Sequence, residues 1–205
     1  MKSAIVLAPH PDDVEFGCGA TVKYLTEQGI TVHYVVFSPC YKSVPKHLDK
    51  DVLYNELDHS IKELGVHNSV KFQYPVREFP KFRQEILEEL VNLKNQINPD
   101  LVFLPNSNDI HQDHQVINQE GIRAFKHCSI LGYELPWNNL VFKSNFHYKL
   151  SESHIDAKWQ AISKYQSQGF RNYSSLDFIK GLARVRGTQV GCQFAESFEL
   201  IRWIN

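Results

Sequence analysis

The sequence predicts an α/β protein with a Rossmann-like, mainly parallel sheet and helices packed on both faces. Two observations lead to this prediction. Short apolar runs of strand length alternate with longer segments whose apolar residues recur at helical spacing. The order of these segments is β-α-β-α-β-α-β, which favours parallel strands joined by crossover helices.

The first half of the chain supplies the clearest elements. AIVLA is an uninterrupted apolar run, and the helical pattern that follows it ends at Gly29. TVHYVVFS is rich in β-branched and aromatic residues, which favours a second strand, and the next helical pattern ends at Gly65. An amphipathic segment then ends at Asn98-Pro99, before the apolar run LVFL. We predict strands at 4–8, 31–38, 70–74 and 101–104, and helices at 14–28, 51–64 and 82–97.

The second half of the chain is less regular. We predict a helix at 116–126, a strand at 130–135, a helix near 154–166 and a final apolar segment at 194–203. No element is assigned between 136 and 153 or between 167 and 193. We expect all of these elements to form one domain, residues 1–205.

The composition is that of a globular protein, with 42% hydrophobic and 22% charged residues in 205. The net charge is −1 and the basic residues are scattered, which argues against a nucleic-acid surface. No apolar run approaches the roughly 20 residues of a membrane span. The N-terminus does not resemble a signal peptide, and the four cysteines lack CxxC spacing, so we expect a cytoplasmic protein with free thiols.

Polar sequences follow two of the predicted strands. His10-Pro11-Asp12-Asp13 comes after the first strand, and His111-Gln112-Asp113-His114 follows the fourth. Ligands of parallel α/β sheets bind beyond the carboxyl ends of the strands. We therefore expect both sequences to open on the same edge of the sheet and to form one site.

The residue types at these two positions are typical of a hydrolytic metal site. Such a site holds a divalent metal with three protein ligands, usually from His and Asp or Glu, and keeps a position for water. Adjacent carboxylates cannot easily point the same way, so one could bind metal while the other takes a proton from water. A carboxylate could also orient a ligating histidine through its ring N–H. The candidates are His10, Asp12, Asp13, His111, Asp113 and His114.

Each motif also has a structural interpretation. An Asp-Asp pair after proline is common in turns and at helix starts, and His-x-x-His at a helix start is often incidental. The coincidence of both motifs at strand ends of one sheet favours the functional interpretation. Gly17-Cys18-Gly19 suggests a dinucleotide fingerprint, but Val22 stands where the third glycine is required.

The motifs together resemble the PIG-L/LmbE-like deacetylases. The features shared with that family are HPDD-x-E, the following Gly-x-Gly-x-Thr that ends at Thr21, and His-x-Asp-His after the fourth strand. Members of the family hydrolyse the N-acetyl group of amino-sugar derivatives. The resemblance therefore implies a metal-dependent deacetylase that acts on a small amino-sugar substrate.

The resemblance also implies a role for each candidate. It implies His10, Asp13 and His114 as ligands of Zn²⁺, and the same donors also suit Fe²⁺. Asp12 would be the general base. His111 would stabilise the oxyanion or protonate the leaving amine, and Asp113 would lie behind His111.

One position departs from the family pattern, and two other functions remain open. Many members carry an arginine where this chain has Leu53, which argues against a phosphoinositide or thiol-precursor substrate. Candidates to replace that arginine are Arg77, Arg83, Arg184 and Arg186. The alternative functions are a metallophosphoesterase and a metal-stabilised sugar-binding module without turnover. The aromatic late region would also suit a homo-oligomer.

Overall fold

A computed structural model describes all 205 residues, in seven strands and six helices joined by turns and loops. The strands are β1 (Ser3–Ala8), β2 (Thr31–Val36), β3 (Asn68–Lys71), β4 (Leu101–Pro105), β5 (Ser129–Tyr133), β6 (Phe146–Leu150) and β7 (Phe194–Arg202). The helices are α1 (Asp13–Glu27), α2 (Val52–Glu63), α3 (Arg83–Ile97), α4 (Gln112–Ala124), α5 (Glu152–Ile162) and α6 (Leu176–Gln189).

All seven strands belong to one sheet with the order β3-β2-β1-β4-β5-β7-β6. The five strands from β3 to β5 are parallel, whereas β7 pairs antiparallel with both β5 and β6. The prediction of a mainly parallel α/β sheet is therefore confirmed. None of the helices is both long and apolar enough to cross a bilayer.

The alternation of side chains along β1 divides the core into two layers. Ala4, Val6 and Ala8 pack into a cluster with α1, α2, α5 and α6, whereas Ile5 and Leu7 pack with α3 and α4 on the opposite face. All five of these side chains are fully buried, which explains why the sequence of β1 is apolar without alternation.

Two elements were not predicted from the sequence, β6 and α6. β6 lies at the sheet edge, and most of its residues are only partly buried, so FHYKL shows no apolar run. α6 buries only Ile179, Ala183 and Gly187, and its two internal glycines weaken the helical signal. The third strand was predicted at 70–74, but its pairing with β2 runs from Asn68 to Lys71. The prediction therefore begins two residues and ends three residues too late.

The connections after β1 and β4 create the crevice in which a site would lie. These strands are neighbours in the sheet, with Ala4 beside Leu101 and Val6 beside Phe103. The chain leaves β1 into α1 on one face and leaves β4 into α4 on the other face. Such a topological switch point separates the two connections and opens a cleft at the carboxyl edge of the sheet.

Candidate metal centre

Three of the predicted site residues converge on one point between β1 and β4. The Nδ1 atom of His10 lies 3.4 Å from Oδ2 of Asp13 and 3.2 Å from Nε2 of His114. Nε2 of His114 lies 3.2 Å from the same oxygen of Asp13. Ligand atoms at the corners of a tetrahedral zinc site lie about 3.3–3.6 Å apart, given metal–ligand bonds of about 2.0–2.2 Å. The triangle formed by these three atoms therefore has the size that a small divalent cation requires.

Two further carboxylates fix the orientation of the histidine rings in this triangle. Nε2 of His10 is 2.9 Å from Oδ2 of Asp113, and Nδ1 of His114 is 2.8 Å from Oδ2 of Asp109. Each ring donates that N–H to its carboxylate, so the lone pair of its other nitrogen faces Asp13. The two ring nitrogens and the Asp13 oxygen are then three hydrogen-bond acceptors that face one another. Such atoms repel one another unless a cation or protons lie between them. The donor set therefore fits a metal ion.

The electrostatics of the triangle favour positive charge. Burial alone would lower the pKa of His114, but Asp13 and Asp109 raise it to about 10. Burial likewise opposes the charged form of His10, yet Asp113 and Asp13 raise its pKa above the usual value. Burial would raise the pKa of Asp13, but His114 and His10 hold it well below its ordinary range. The field that attracts protons to these histidines would also attract a divalent cation.

A set of three histidines is the geometric alternative to this ligand set. Ring nitrogens of His10, His111 and His114 lie within 4.8 Å of one another. Nδ1 of His111, however, accepts a hydrogen bond from the backbone N–H of Asp113 at 3.2 Å. Only one nitrogen of His111 is thus free, and the contacts that include Asp13 are shorter. We favour Asp13 as the third ligand.

The structure corrects one expected contact and adds one residue. Asp113 was expected to lie behind His111, but its carboxylate contacts His10 and accepts hydrogen bonds from the backbone N–H groups of Arg77 and Phe79. The reason is that Asp113 lies on the first turn of α4, which begins four residues earlier than predicted. Sequence reasoning missed Asp109, which lies between β4 and the His111–His114 motif.

Asp12 faces the cavity in a strained backbone conformation. It is the residue before α1, with φ 86° and ψ −23°, and its carboxylate makes no hydrogen bond or ion pair in the structure. Such a conformation is uncommon for a residue other than glycine and often occurs at functional sites. Burial, and then the neighbouring Asp13 carboxylate, raise the pKa of Asp12 to about 8. Asp12 can therefore exchange a proton near neutral pH.

His111 is the N-cap residue of α4 and lines the same cavity. Because its Nδ1 accepts the N–H of Asp113, the proton of the neutral ring lies on Nε2. Burial, together with the positive charges of His114 and His10, lowers the pKa of His111 to about 4. His111 is thus a neutral imidazole that can donate a hydrogen bond from Nε2.

The Gly-x-Gly sequence after the first motif serves close packing. α1 is interrupted at Cys18, whose backbone angles (φ −149°, ψ 22°) are not helical. A Cβ atom on Gly17 would lie 2.4 Å from the Tyr133 ring, and one on Gly19 would lie 3.3 Å from the Lys158 side chain. Any larger residue would displace these neighbours.

A buried ion pair connects the two sides of this interruption. The Lys158 ammonium donates to the Phe16 carbonyl and to the Glu196 carboxylate, each at 2.6 Å. Glu196 also accepts the backbone N–H groups of Ala20 and Thr21, at 3.2 and 2.7 Å. The free backbone groups that the interruption creates are therefore satisfied, and the short turn that carries Asp12 and Asp13 is held against the main helix.

A second buried carboxylate anchors the same turn. Glu15 is fully buried and accepts hydrogen bonds from the hydroxyl groups of Tyr34, Ser60 and Tyr165 at 2.8, 2.8 and 3.0 Å. Burial raises the pKa of Glu15 despite these three donors. Glu15 therefore ties the turn that carries Asp12 and Asp13 to β2, α2 and the segment after α5.

The candidate metal centre opens into a cavity of about 300 Å³. Besides the motif residues, the lining includes Leu53, Arg77, Trp137, Asn138, Arg171 and Tyr173. Of the arginines proposed to replace the one missing at Leu53, only Arg77 reaches the cavity. Arg83 pairs with Glu120 and Arg186 with Glu134, whereas Arg184 lies over the Phe194 ring. Arg171 was not predicted, because nothing in its local sequence distinguishes it from a surface charge.

Comparisons with known proteins agree with the resemblance. Residues 5–125 match the family model PIG-L, described as GlcNAc-PI de-N-acetylase. The uncharacterized deacetylase YaiS of Escherichia coli (strain K12) is 28% identical over 172 residues, which cover 81% of this chain and 91% of YaiS. Diacetylchitobiose deacetylase of Thermococcus kodakarensis is 23% identical over 228 residues, with coverage of 98% and 84%.

A solved structure shares the whole fold. The N,N'-diacetylchitobiose deacetylase of Pyrococcus horikoshii superposes with a TM-score of 0.82 at 23% identity, covering 97% of this chain and 83% of that chain. The family model spans more than half of this chain and includes both the turn that carries His10 and Asp13 and the turn that carries His111 and His114. The protein therefore belongs to the PIG-L family of de-N-acetylases.

Proposed function

We propose that this protein is a metal-dependent hydrolase that removes an N-acetyl or similar small acyl group from an amino sugar or sugar conjugate. The observation that carries the proposal is the triangle of His10 Nδ1, Asp13 Oδ2 and His114 Nε2, with edges of 3.2–3.4 Å, beside a free carboxylate in an open cavity. The family and the sugar deacetylases among its relatives support an amide as the bond that is cleaved.

His10, Asp13 and His114 would hold the metal, with Zn²⁺ as the default and Fe²⁺ as the alternative. When bound, such a cation would lower the pKa of its water ligand towards about 7 and polarise the amide carbonyl. Asp109 and Asp113 keep the ring N–H groups of the two histidines occupied, so that the lone pairs stay directed at the ion.

Asp12 and His111 would carry out the proton transfers and the charge stabilisation. Asp12 accepts a proton as water attacks the carbonyl carbon, and its raised pKa allows it to keep that proton and pass it to the leaving nitrogen. His111, neutral with its proton on Nε2, donates a hydrogen bond to the developing oxyanion. The C–N bond then breaks and yields the free carboxylate and the amine.

The two rival functions predict different outcomes in one screen. A metallophosphoesterase usually needs two metals about 3.5–4 Å apart, and the structure brings together one cluster of ligands. A binding module would not need Asp12, whose carboxylate makes no hydrogen bond or ion pair with another side chain. A panel of N-acetylhexosamines should release acetate with this enzyme, whereas a panel of phosphoesters should release no phosphate. Binding without product in either panel would favour the binding module.

His114→Ala tests the metal assignment. We expect the purified wild-type protein to contain nearly one equivalent of zinc or iron, and His114→Ala to lose both the metal and acetate release. Elemental analysis of both proteins checks this, with His147→Ala, far from the site on β6, as the control. Equal metal in the His114→Ala and wild-type proteins would contradict the assignment.

Asp12→Asn tests the mechanism separately from metal binding. We expect this variant to keep its metal and fold while turnover falls about 10²–10⁴-fold, which is the usual effect of removing a general base. A steady-state acetate-release assay with metal analysis of the same sample measures both. Wild-type turnover in Asp12→Asn would refute the role of Asp12 even if the metal lies where we propose.

The sites of action and assembly are part of the same proposal. We propose that the enzyme is cytoplasmic, acts on a small-molecule sugar substrate and has no nucleic-acid partner. Whether it forms a homo-oligomer is tested by analytical sedimentation. Fractionation of cells that express the full chain would test the location.

A further inference from the structure

Five of the seven arginines of this protein fall into two groups, and the other two, Arg184 and Arg202, make no ion pair and lie outside the cavity. Arg83 and Arg123 pair with Glu120, and Arg186 pairs with Glu134, so their charges are neutralised within the protein. Arg77 and Arg171 make no ion pair with any carboxylate, and both line the cavity beside the metal centre. Unpaired guanidinium groups at a ligand cavity are typical of sites that bind carboxylate or phosphate.

Arg171 is held in a fixed orientation by neutral partners. Its Nε donates to the side-chain oxygen of Gln168 at 2.9 Å, and one terminal nitrogen donates to the hydroxyl of Tyr173. The guanidinium also lies over the Tyr173 ring, 5.6 Å from its centre. The remaining N–H groups of Arg171 have no partner in the protein. The side chain is therefore preorganised without being neutralised.

The carboxylates of the cavity do not balance these charges. Asp13 is already engaged by His10 and His114, so only Asp12 could offset two guanidinium groups. Asp12 and Arg171 interact electrostatically but are not in ion-pair contact, and both line the cavity. The cavity thus has an excess of positive charge on the side of Arg171.

A stacked aromatic pair lies next to Arg171. Trp137 and Tyr173 stack with ring centres 3.8 Å apart and an interplanar angle of 10°, and Phe16 packs edge-on against both. Trp137 is only half-buried and lines the cavity. An apolar sugar face could pack here while a charged substituent reaches the guanidinium.

We propose that Arg171 forms an anion subsite beside the amide-hydrolysing centre, and that the substrate is an N-acylated amino sugar that carries a phosphate or carboxylate group. The Trp137–Tyr173 pair would support the sugar ring, and Arg77 at the exposed rim would add to the attraction. This inference rests on the proposed deacylase function and specifies its substrate class.

The test compares charged and neutral sugars with one arginine removed. The panel consists of N-acetylglucosamine, its 1-phosphate, its 6-phosphate and N-acetylmuramic acid, assayed for acetate release with wild type and Arg171→Gln. We expect the wild type to prefer at least one charged sugar. Arg171→Gln should raise KM for that sugar about 10–100-fold, the loss of one charge-assisted contact, while kcat/KM for the neutral sugar stays within about threefold. Comparison of the two sugar phosphates with N-acetylmuramic acid identifies whether the site prefers a phosphate or a carboxylate.

A second measurement makes the inference independent of turnover. Calorimetric titration of the same four sugars into both proteins should show tighter binding of the preferred charged sugar only when Arg171 is present. Arg184→Gln, which removes an unpaired arginine outside the cavity, should bind and react like wild type. Arg171→Lys keeps the positive charge but lacks the planar guanidinium, so its affinity for the charged sugar should lie between those of wild type and Arg171→Gln. This graded result would show that the loss in Arg171→Gln is not caused by misfolding.

Three outcomes would overturn the anion subsite. The first is that the wild type binds neutral and charged sugars equally. The second is that Arg171→Gln retains the affinity of the wild type for the charged sugar. The third is that Arg171→Gln lowers kcat for all sugars equally with KM unchanged, which would show that Arg171 acts on Asp12 instead. Charge-selective binding without acetate release from any sugar would instead contradict the deacylase function and leave the subsite supported.

Discussion

At the scale of single residues, the candidate site depends on carboxylates that contact the proposed ligand histidines and not the metal position itself. Asp109 holds the Nδ1–H of His114 with one oxygen and accepts the backbone N–H of His111 with the other, both at 2.8 Å. Asp109 is almost fully buried, so solvent cannot replace it. One side chain thus fixes the ring of His114, a proposed metal ligand, and the start of α4.

Asp109→Asn should weaken metal binding without removing a ligand. An amide lacks the negative charge that favours the required tautomer of His114, and such changes behind a ligating histidine typically cost about 10–100-fold in metal affinity. Competition with a chromogenic chelator measures the zinc dissociation constant. Asp58→Asn, which removes an exposed carboxylate paired with Lys71, is the matched control. A zinc affinity in Asp109→Asn equal to that of the control would refute this role.

At the scale of elements, the interruption of α1 shapes the turn that carries Asp12 and Asp13. The short turn before Cys18 presents Asp12 and Asp13, and the helix proper runs on from Gly19. Gly17 lets this turn approach Tyr133 on β5, whose hydroxyl donates to the Leu7 carbonyl at 2.9 Å. The position of the carboxylates is therefore determined by contact with the sheet as well as by the helix.

Gly17→Ala should destabilise the protein. The new Cβ would lie 2.4 Å from the Tyr133 ring, so the buried tyrosine or the turn must move, and such overpacking costs about 1–3 kcal/mol. Gly181→Ala in α6 is the matched control, because no atom lies within 4 Å of its added methyl group. We expect that variant to be as stable as wild type or more stable, by up to about 1 kcal/mol. Urea unfolding measures both, and equal stability of the two variants would be inconsistent with the close contact.

The contacts at the start of β1 predict how the stability of the protein depends on pH. Asp100, just before β4, accepts the backbone N–H groups of Lys2 and Ser3, which hold the pKa of its carboxyl below the usual value. A lowered folded-state pKa stabilises the protein above the unfolded pKa near 4, and this stabilisation is lost as pH falls through the folded value.

Asp100→Asn should therefore lower the unfolding free energy by about 1 kcal/mol at pH 7. This is the value of a charge-assisted hydrogen bond, reduced because the carboxylate is exposed to solvent. The difference from wild type should shrink as the pH falls below about 4. Denaturant unfolding at pH 7, 5 and 3 checks this. A difference that stays constant over the three values would mean that the charge of Asp100 does not contribute.

At the scale of the whole molecule, the site joins two halves of the sheet. The proposed ligands His10 and Asp13 follow β1, whereas the proposed ligand His114 follows β4, with α1 and α4 on opposite faces. A metal bound here would crosslink segments about a hundred residues apart in sequence. It would bind the folded chain far better than the unfolded chain, so binding and folding are linked.

Zinc should therefore raise the melting temperature. At free zinc 100-fold above its dissociation constant, the folded state gains about 2.7 kcal/mol, which corresponds to about 5–10 °C for a chain of this size. Differential scanning fluorimetry with zinc and with a chelator measures the shift. His114→Ala should show no zinc-dependent shift, and an equal shift in that variant would point to binding elsewhere.

Local sequence determined most of the fold and the centre of the site. Apolar runs, helical spacing and glycine stops depend on residues close in sequence, so the strands from β1 to β5 and most helices could be predicted. The two polar motifs could be placed at one edge because parallel strands bring their carboxyl ends together. The membership of the family followed from the same motifs.

Tertiary structure decided what depends on contacts between distant segments. β7 lies between β5 and β6, so the edge strand β6 has little apolar pattern to reveal it. The carboxylate of Asp113 contacts His10 instead of His111 because α4 begins at Gln112. Arg171 reaches the cavity because the chain after α5 folds back onto α1, where Tyr173 packs against Phe16. Sequence spacing cannot report such contacts, since the packing of whole elements determines which side chains meet.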